Sequence, residues 1–210
     1  MNKTSTIVLA LGTVLVVTAC GGSSGSSKPR YDLNAAFAAL YEQGEMVALQ
    51  ARGACSGTLV QVRTPAAEAS GEAGGWAASL TRTSLLMPGC DYPSRVVDDT
   101  IRYSAGLTPV AREGDSGAGS IEASALPSNA RVGDSGVYAV VTLAGGHEEV
   151  RYALEADDGS VDGAAIVALE THRVGPGNTQ LPRLEHRYRI GSDGSLTLLS
   201  FAEGDMRFTR

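Results

Sequence analysis

Hydrophobic and polar positions along this chain repeat with two periods. Between residues 31 and 43, Leu33, Phe37, Leu40 and Tyr41 recur at helical spacing, Asp32 or Asn34 stands where an N-cap belongs, and Gly44 follows. The spacing predicts one short amphipathic helix. Beyond Gly44 the period drops to two. Segments 46–52, 58–64, 76–87 and 100–105 read as strands, 108–112 as a short strand, and 113–127 as a long connection. Segment 65–75, rich in Ala, Glu and Gly, reads as a loop. The second half alternates more cleanly, with strands expected at 136–143, 149–156, 164–174, 184–190, 195–201 and 206–209. Its turns carry Ala144-Gly145-Gly146, Asp157-Asp158-Gly159 and Ser192-Asp193-Gly194, residues that accept the positive φ of a tight hairpin. Short turns and the absence of βαβ alternation predict an all-β body: an antiparallel meander forming a sandwich or partly closed barrel, with one short N-terminal helix.

The start of the chain follows neither period. Lys3 precedes an apolar run from Ile7 to Val17, and small residues lead into Cys20 in Val17-Thr18-Ala19-Cys20-Gly21. The run is shorter than the about 20 residues of a spanning helix. This segment resembles a bacterial lipobox, in which the cysteine thiol takes a diacylglyceryl group. The resemblance implies a signal peptide over residues 1–19, lipidation at Cys20 and a mature chain that begins there. It also implies stable anchoring, because several acyl chains exceed the two-signal threshold. In the lipoprotein class an Asp directly after the cysteine favours the inner membrane, and Gly21 here implies the outer membrane of the bacterial envelope. Residues 20–30 form the lipidated cysteine and a Gly/Ser tether, whose nine residues from Gly21 to Pro29 span on the order of 16 Å. One β-rich domain then runs from 31 to 210. The Tyr-Asp-Leu-Asn-Ala-Ala-Phe stretch after the tether and the Val-Gly-Asp-Ser-Gly segment at 132–136 make the body similar to uncharacterised Ala/Gly/Ser-rich β lipoproteins of proteobacteria, a group that implies no activity.

Removing residues 1–19 takes away Lys3 and no acid, so the formal charge goes from −6 to −7. An acidic body with no basic stripe argues against nucleic acid as a partner. It also leaves the lipid as the expected membrane attachment. Apart from Lys28, every basic residue after cleavage is an Arg, spaced singly along alternating segments, which reads as a solvated sheet face. Cys55 and Cys90 remain once lipid takes Cys20; in an exported protein such a pair reads as a disulfide. It closes a loop of about 36 residues, a constraint contributing roughly 3 to 4 kcal/mol.

Four motifs suggest chemistry and each lacks a part. Gly21-x-Ser23-x-Gly25 has no strand before it. Gly114-Asp115-Ser116-Gly117 and Gly133-Asp134-Ser135-Gly136 look like the nucleophile segment of trypsin-like proteases, yet His147, His172 and His186 all follow both serines; turns are the simpler account. Asp158-x-Ser160-x-Asp162-Gly163 opens like a calcium loop, but the twelfth position is Leu169. A symmetric hairpin over 164–174 and 184–190 sets His172 opposite His186, Glu170 opposite Tyr188 and Arg173 opposite Glu185; the two histidines with a nearby carboxylate suggest zinc, while a hydrogen-bonded core histidine is the plainer reading of His186. No catalytic residue, metal or cofactor is therefore expected. The expected role is a non-enzymatic envelope lipoprotein that binds another envelope component or acts structurally, with a carrier of a small apolar ligand in a barrel-like cavity as the alternative.

Overall fold

A computed structural model describes residues 29–51, 55–68, 77–88, 90, 92–159 and 163–210. The lipobox, Cys20 and the tether as far as Lys28 lie outside the described residues, as do Trp76 and residues 160–162 of the acidic turn. Helix α1 (Leu33–Gln43) starts where expected, because Asp32 Oδ1 accepts from the Ala35 amide at 2.9 Å. It stops at Gly44, whose φ of 71° and whose missing Cβ, which would come within 2.5 Å of the Arg63 carbonyl oxygen, suit no other residue.

The strands are β1 (Glu45–Ala51), β2 (Thr58–Arg63), β3 (Ala67–Glu68), β4 (Ala77–Leu86), β5 (Arg95–Tyr103), β6 (Pro109–Gly114) and β7 (Gly119–Ala123). They continue with β8 (Ser135–Leu143), β9 (Gly146–Ala156), β10 (Ala165–Val174), β11 (Gln180–Ile190), β12 (Leu196–Glu203) and β13 (Met206–Thr209). From β4 to β13 each strand pairs antiparallel with the next. β13 then pairs with β1, β1 with β2, and β2 returns to β4 over Thr58–Arg63 and Thr81–Leu86. The result is a closed antiparallel barrel of 12 strands, with the two-residue β3 appended beside the start of β4. The body is all-β with one helix, as expected, and between the two expected architectures it is the barrel, fully closed. Closure leaves these strands no free edge.

Four expectations fail. The segment read as a loop from residue 65 holds β3, where Ala67 and Glu68 pair with Ala78 and Ala77. β5 begins at Arg95, not at residue 100, because inward-facing Arg95 and Asp99 interrupt the apolar alternation. The connection expected over 113–127 contains β7, whose pattern is hidden by Gly119; a Cβ there would meet the Thr142 carbonyl oxygen at 2.4 Å, so only glycine lets β7 and β8 approach. β11 begins at Gln180 after a 3₁₀ turn at Pro176–Asn178, and the β10–β11 register includes an irregularity between Thr171 and Arg173. His186 therefore faces Leu169, His172 faces Glu149, Glu170 faces Glu185 and Arg173 faces Leu181, so the symmetric register does not occur.

Inside the ring the two ends differ. α1 presents Leu33, Ala36, Phe37 and Leu40 to the interior. Phe37 meets Tyr188 of β11 edge-on at 5.5 Å, Tyr41 lies 4.9 Å from Tyr103 of β5, and the Tyr41 and Tyr138 hydroxyls are 3.5 Å apart. Contacts with three separated strands place the helix across the lumen as a plug. Leu154, Val167, Ile190 and Leu198 complete this apolar half. Tyr31 exchanges two backbone hydrogen bonds of 2.9 Å with Ala130, and the Leu33 amide donates to the Pro127 carbonyl at 3.0 Å, tying the helix entry to the rim.

The outer wall carries charge. Arg82 pairs with Asp98 at 2.6 Å, Arg102 with Glu113 at 3.2 Å, Arg151 with Glu149 at 2.5 Å and Arg189 with Asp157 at 2.6 Å; Arg187 pairs with Glu155. A barrel in hydrocarbon turns apolar side chains outward and polar ones inward. This wall carries such ion pairs beside exposed apolar side chains, among them Met46, Leu86, Val96 and Val137.

Candidate functional site: a polar cavity in the open half of the lumen

Opposite the helix plug, the lumen holds a cavity of about 470 Å3. Its wall follows from strand alternation. In β2, Leu59, Gln61 and Arg63 share the inward face; in β4, Thr81, Thr83 and Leu85; in β5, Val97, Asp99 and Ile101. Across the lumen stand Arg173, Leu184, His186, Phe201 and Glu203. The volume lies within the roughly 300 to 1,000 Å3 of small-molecule sites.

Four arginines face this cavity, which corrects the expectation that the singly spaced arginines all lie on a solvated outer face. Three join a ladder of alternating charge. Arg112 Nη1 donates to Glu148 Oε2 at 2.7 Å, Arg173 Nε lies 3.4 Å from Glu148 Oε1, and Arg173 Nη1 lies 3.6 Å from Glu203 Oε1. Arg95 completes it on Glu203 Oε2, which also accepts from the Tyr92 hydroxyl at 2.5 Å. Glu148 and Glu203 side chains are only 7% and 9% exposed, so each needs these partners to offset its desolvation. The ladder links β5, β12, β10, β9 and β6, and so reaches across the lumen.

Arg63 is placed differently. Its side chain is 13% exposed, Nη1 has no hydrogen-bond partner, and the nearest carboxylate oxygen, Glu45 Oε2, stands 4.0 Å away. The guanidinium sits over the Tyr41 ring at 5.4 Å, at the junction of cavity and helix plug. Two positions along β2, Gln61 is 6% exposed; its Nε2 donates to Thr83 Oγ1 at 3.4 Å, and its Oε1 has no partner. Burial, reinforced by the positive charge of Arg63, pushes the His186 imidazole down to about 4, and the ring packs edge-on against Phe201 at 4.9 Å. His186 is therefore neutral near pH 7.

The residues singled out in the sequence distribute as follows. Ser116 lines the cavity, but its amide and its Oγ both donate to Asp99, at 2.9 Å and 2.5 Å. The hydroxyl is thus held by a carboxylate and not by an imidazole, and a serine needs a base to become a nucleophile. Ser135 is exposed at the other end of the barrel, after a turn in which Asp134 Oδ2 accepts from the Arg131 amide at 2.9 Å. His172 lies on the outer wall, 3.4 Å from Glu170, while His186 faces the lumen, so the expected histidine pair does not form. In the acidic turn, Asp157 accepts from Arg189 at 2.6 Å and from the Gly159 amide at 3.0 Å. Among the described residues no cluster of three His, Cys, Asp or Glu side chains is arranged to hold a metal. Cys55 and Cys90 are joined as a disulfide with Cα atoms 5.8 Å apart. The bridge ties the β1–β2 connection to the β4–β5 connection at the cavity end of the barrel.

The inward arginines are what residue-by-residue reading missed. Their signal is phase: Arg63 continues Leu59-x-Gln61, and Arg173 continues Ala165-x-Val167-x-Leu169-x-Thr171 on the buried face. An Arg in the apolar phase of a strand marks a polar interior. Comparison with family models, curated proteins and solved structures finds no match.

Proposed function

We propose that this chain is a lipid-anchored, non-enzymatic binding protein of the bacterial envelope, whose ligand compartment is the open half of the lumen. The observation that carries the reading is the cavity of about 470 Å3 inside a closed ring, walled by buried polar groups that include three atoms without hydrogen-bond partners, Gln61 Oε1, Arg63 Nη1 and Arg173 Nε. Native interiors satisfy nearly all such groups, and a solute in the cavity supplies what is missing. The lipobox at Cys20 and the Gly/Ser tether support attachment to the outer membrane. The charged outer wall supports a barrel that stands in water at the end of that tether. The engagement of Ser116 by Asp99 supports a binding role over hydrolysis. A carrier of a purely apolar ligand fits less well, because such a ligand leaves Arg63, Gln61, Thr81 and Thr83 desolvated.

The test is an amide NMR titration of the purified mature protein with the low-molecular-weight fraction of an envelope extract. Shifts concentrated at Gln61, Thr81 and Thr83, and lost in a Thr83→Trp variant that fills the cavity, are expected. Shifts confined to the outer wall, or unaffected by Thr83→Trp, overturn the lumen as the binding compartment.

A further inference from the structure

We propose that the inner end of the cavity is an oxyanion subsite: Arg63 takes the carboxylate or phosphate head of an amphipathic solute, and Gln61 Oε1 accepts from a hydrogen-bond donor elsewhere on the same molecule. This rests on the lumen being the binding compartment and adds the class of ligand.

Of the four cavity arginines, Arg63 stands farthest from any carboxylate, with Glu45 at 4.0 Å; Arg173, whose Nε is likewise without a hydrogen-bond partner, lies 3.4 Å from Glu148 and 3.6 Å from Glu203. Arg112 has Glu148 and the carbonyls of Ser116 and Gly117, Arg95 has Glu203, and Arg173 stands between Glu148 and Glu203. Glu45 is the nearest carboxylate to Arg63, but at 4.0 Å it makes no hydrogen bond, its own Oε2 is unpartnered, and it is not part of the cavity wall. The buried guanidinium is held by the Tyr41 ring and the Tyr188 hydroxyl but by no carboxylate within hydrogen-bond distance, which leaves its charge short of a strong partner. Its planar fork matches an oxyanion with two parallel hydrogen bonds, the geometry a carboxylate or phosphate presents.

Gln61 supplies the second, independent observation. Its carboxamide oxygen is buried, faces the same cavity and has no donor. Residues two apart on one strand are separated by about 6.6 Å. A ligand that satisfies both groups therefore carries its anionic head and its donor about that far apart. Leu59, Leu85 and Phe201 face the space between and around them, so the body of the ligand is apolar. With His186 neutral, Arg63 provides the positive charge at this inner end.

Three probes separate the possibilities: 4-hydroxybenzoate, whose carboxylate and hydroxyl have about the required spacing, phenyl phosphate, and the neutral 4-hydroxybenzamide. Calorimetric titration of the mature protein is expected to show at least one anion binding tenfold or more tightly than the amide, with the tighter anion identifying the headgroup. Arg63→Met should erase the preference. A readout without a variant accompanies it: the Arg63 Nε–H resonance of the unmodified protein should move with the anion and stay in place with the amide. Equal affinities for anion and amide, or an unmoved Arg63 resonance, overturn the oxyanion subsite while leaving the lumen reading in place. Failure of all three probes to bind at millimolar concentration overturns both.

Discussion

Single residues set the character of the lumen, and His186 is the one whose charge depends on it most visibly. Burial, with Arg63 as the nearby cation and Glu185 as an opposing anion, pulls it from its ordinary 6.5 to about 4. The unfolded chain binds that proton first as pH falls. Stability therefore holds above about pH 6.5 and declines toward pH 4, by up to about 3 kcal/mol from this residue. Urea unfolding at pH 7 and pH 4.5 should show the loss, and His186→Gln should reduce it; an unchanged difference means His186 is not the group responsible. Ser116 makes the second prediction at this scale. Because its Oγ donates to Asp99, a fluorophosphonate probe should leave Ser116 unlabelled, and stoichiometric labelling lost in Ser116→Ala would move the chain among the hydrolases. Residue identity was legible here where chemistry is local: Gly44 as a stop follows from the sequence, which also narrows the cap to Asp32 or Asn34. The destination of each Arg was not, since a side chain long enough to pair across the lumen gives no local sign of its partner.

At the scale of elements the helix behaved as its pattern suggests, but of the three turns read as taking positive φ only Ser192-Asp193-Gly194 does so, at Gly194 with φ 81°; the strands that departed are those facing the polar half. β7 and the first half of β5 carry Gly119, Arg95 and Asp99 inward, and a polar or missing side chain at an inward position erases the alternation that marks a strand. The symmetric β10–β11 register failed because Gln180–Arg183, with Pro182 among them, belongs to the strand and not to the loop. Two predictions belong here. Phe37 is 2% exposed between α1 and Tyr188, so Phe37→Ala should cost about 3 to 5 kcal/mol in denaturant unfolding. A near-neutral result means that α1 is not a fixed part of the core. Reduction of the Cys55–Cys90 bridge should lower the melting temperature, reflecting roughly 3 to 4 kcal/mol of lost constraint. Full alkylation of both thiols in unreduced, unfolded protein rules the bridge out.

For the molecule as a whole, alternation and short turns made an all-β meander legible, but they do not say whether a meander rolls into a ring. That depends on pairings remote in sequence, β13 with β1 and β2 with β4, which leave no periodic trace. The charged outer wall and the tether give the last prediction: Cys20→Ser should release the protein from membranes with its fold unchanged, read by fractionation and circular dichroism, because the attachment is expected through the lipid and not through the barrel. Retention of the variant in the membrane fraction overturns the lipid anchor. The seam also imposes a timetable. Gln50 at the end of β1 waits for Thr209 at the end of β13, so nearly the whole body must emerge before the ring can shut. Until then the nascent sheet has two open margins with unpaired backbone groups, the state in which strands join the wrong chain. A ring shut by its last-made strand is slow to begin folding, since so distant a pairing must be closed at high entropic cost. Once complete, it has no end strand from which to unravel.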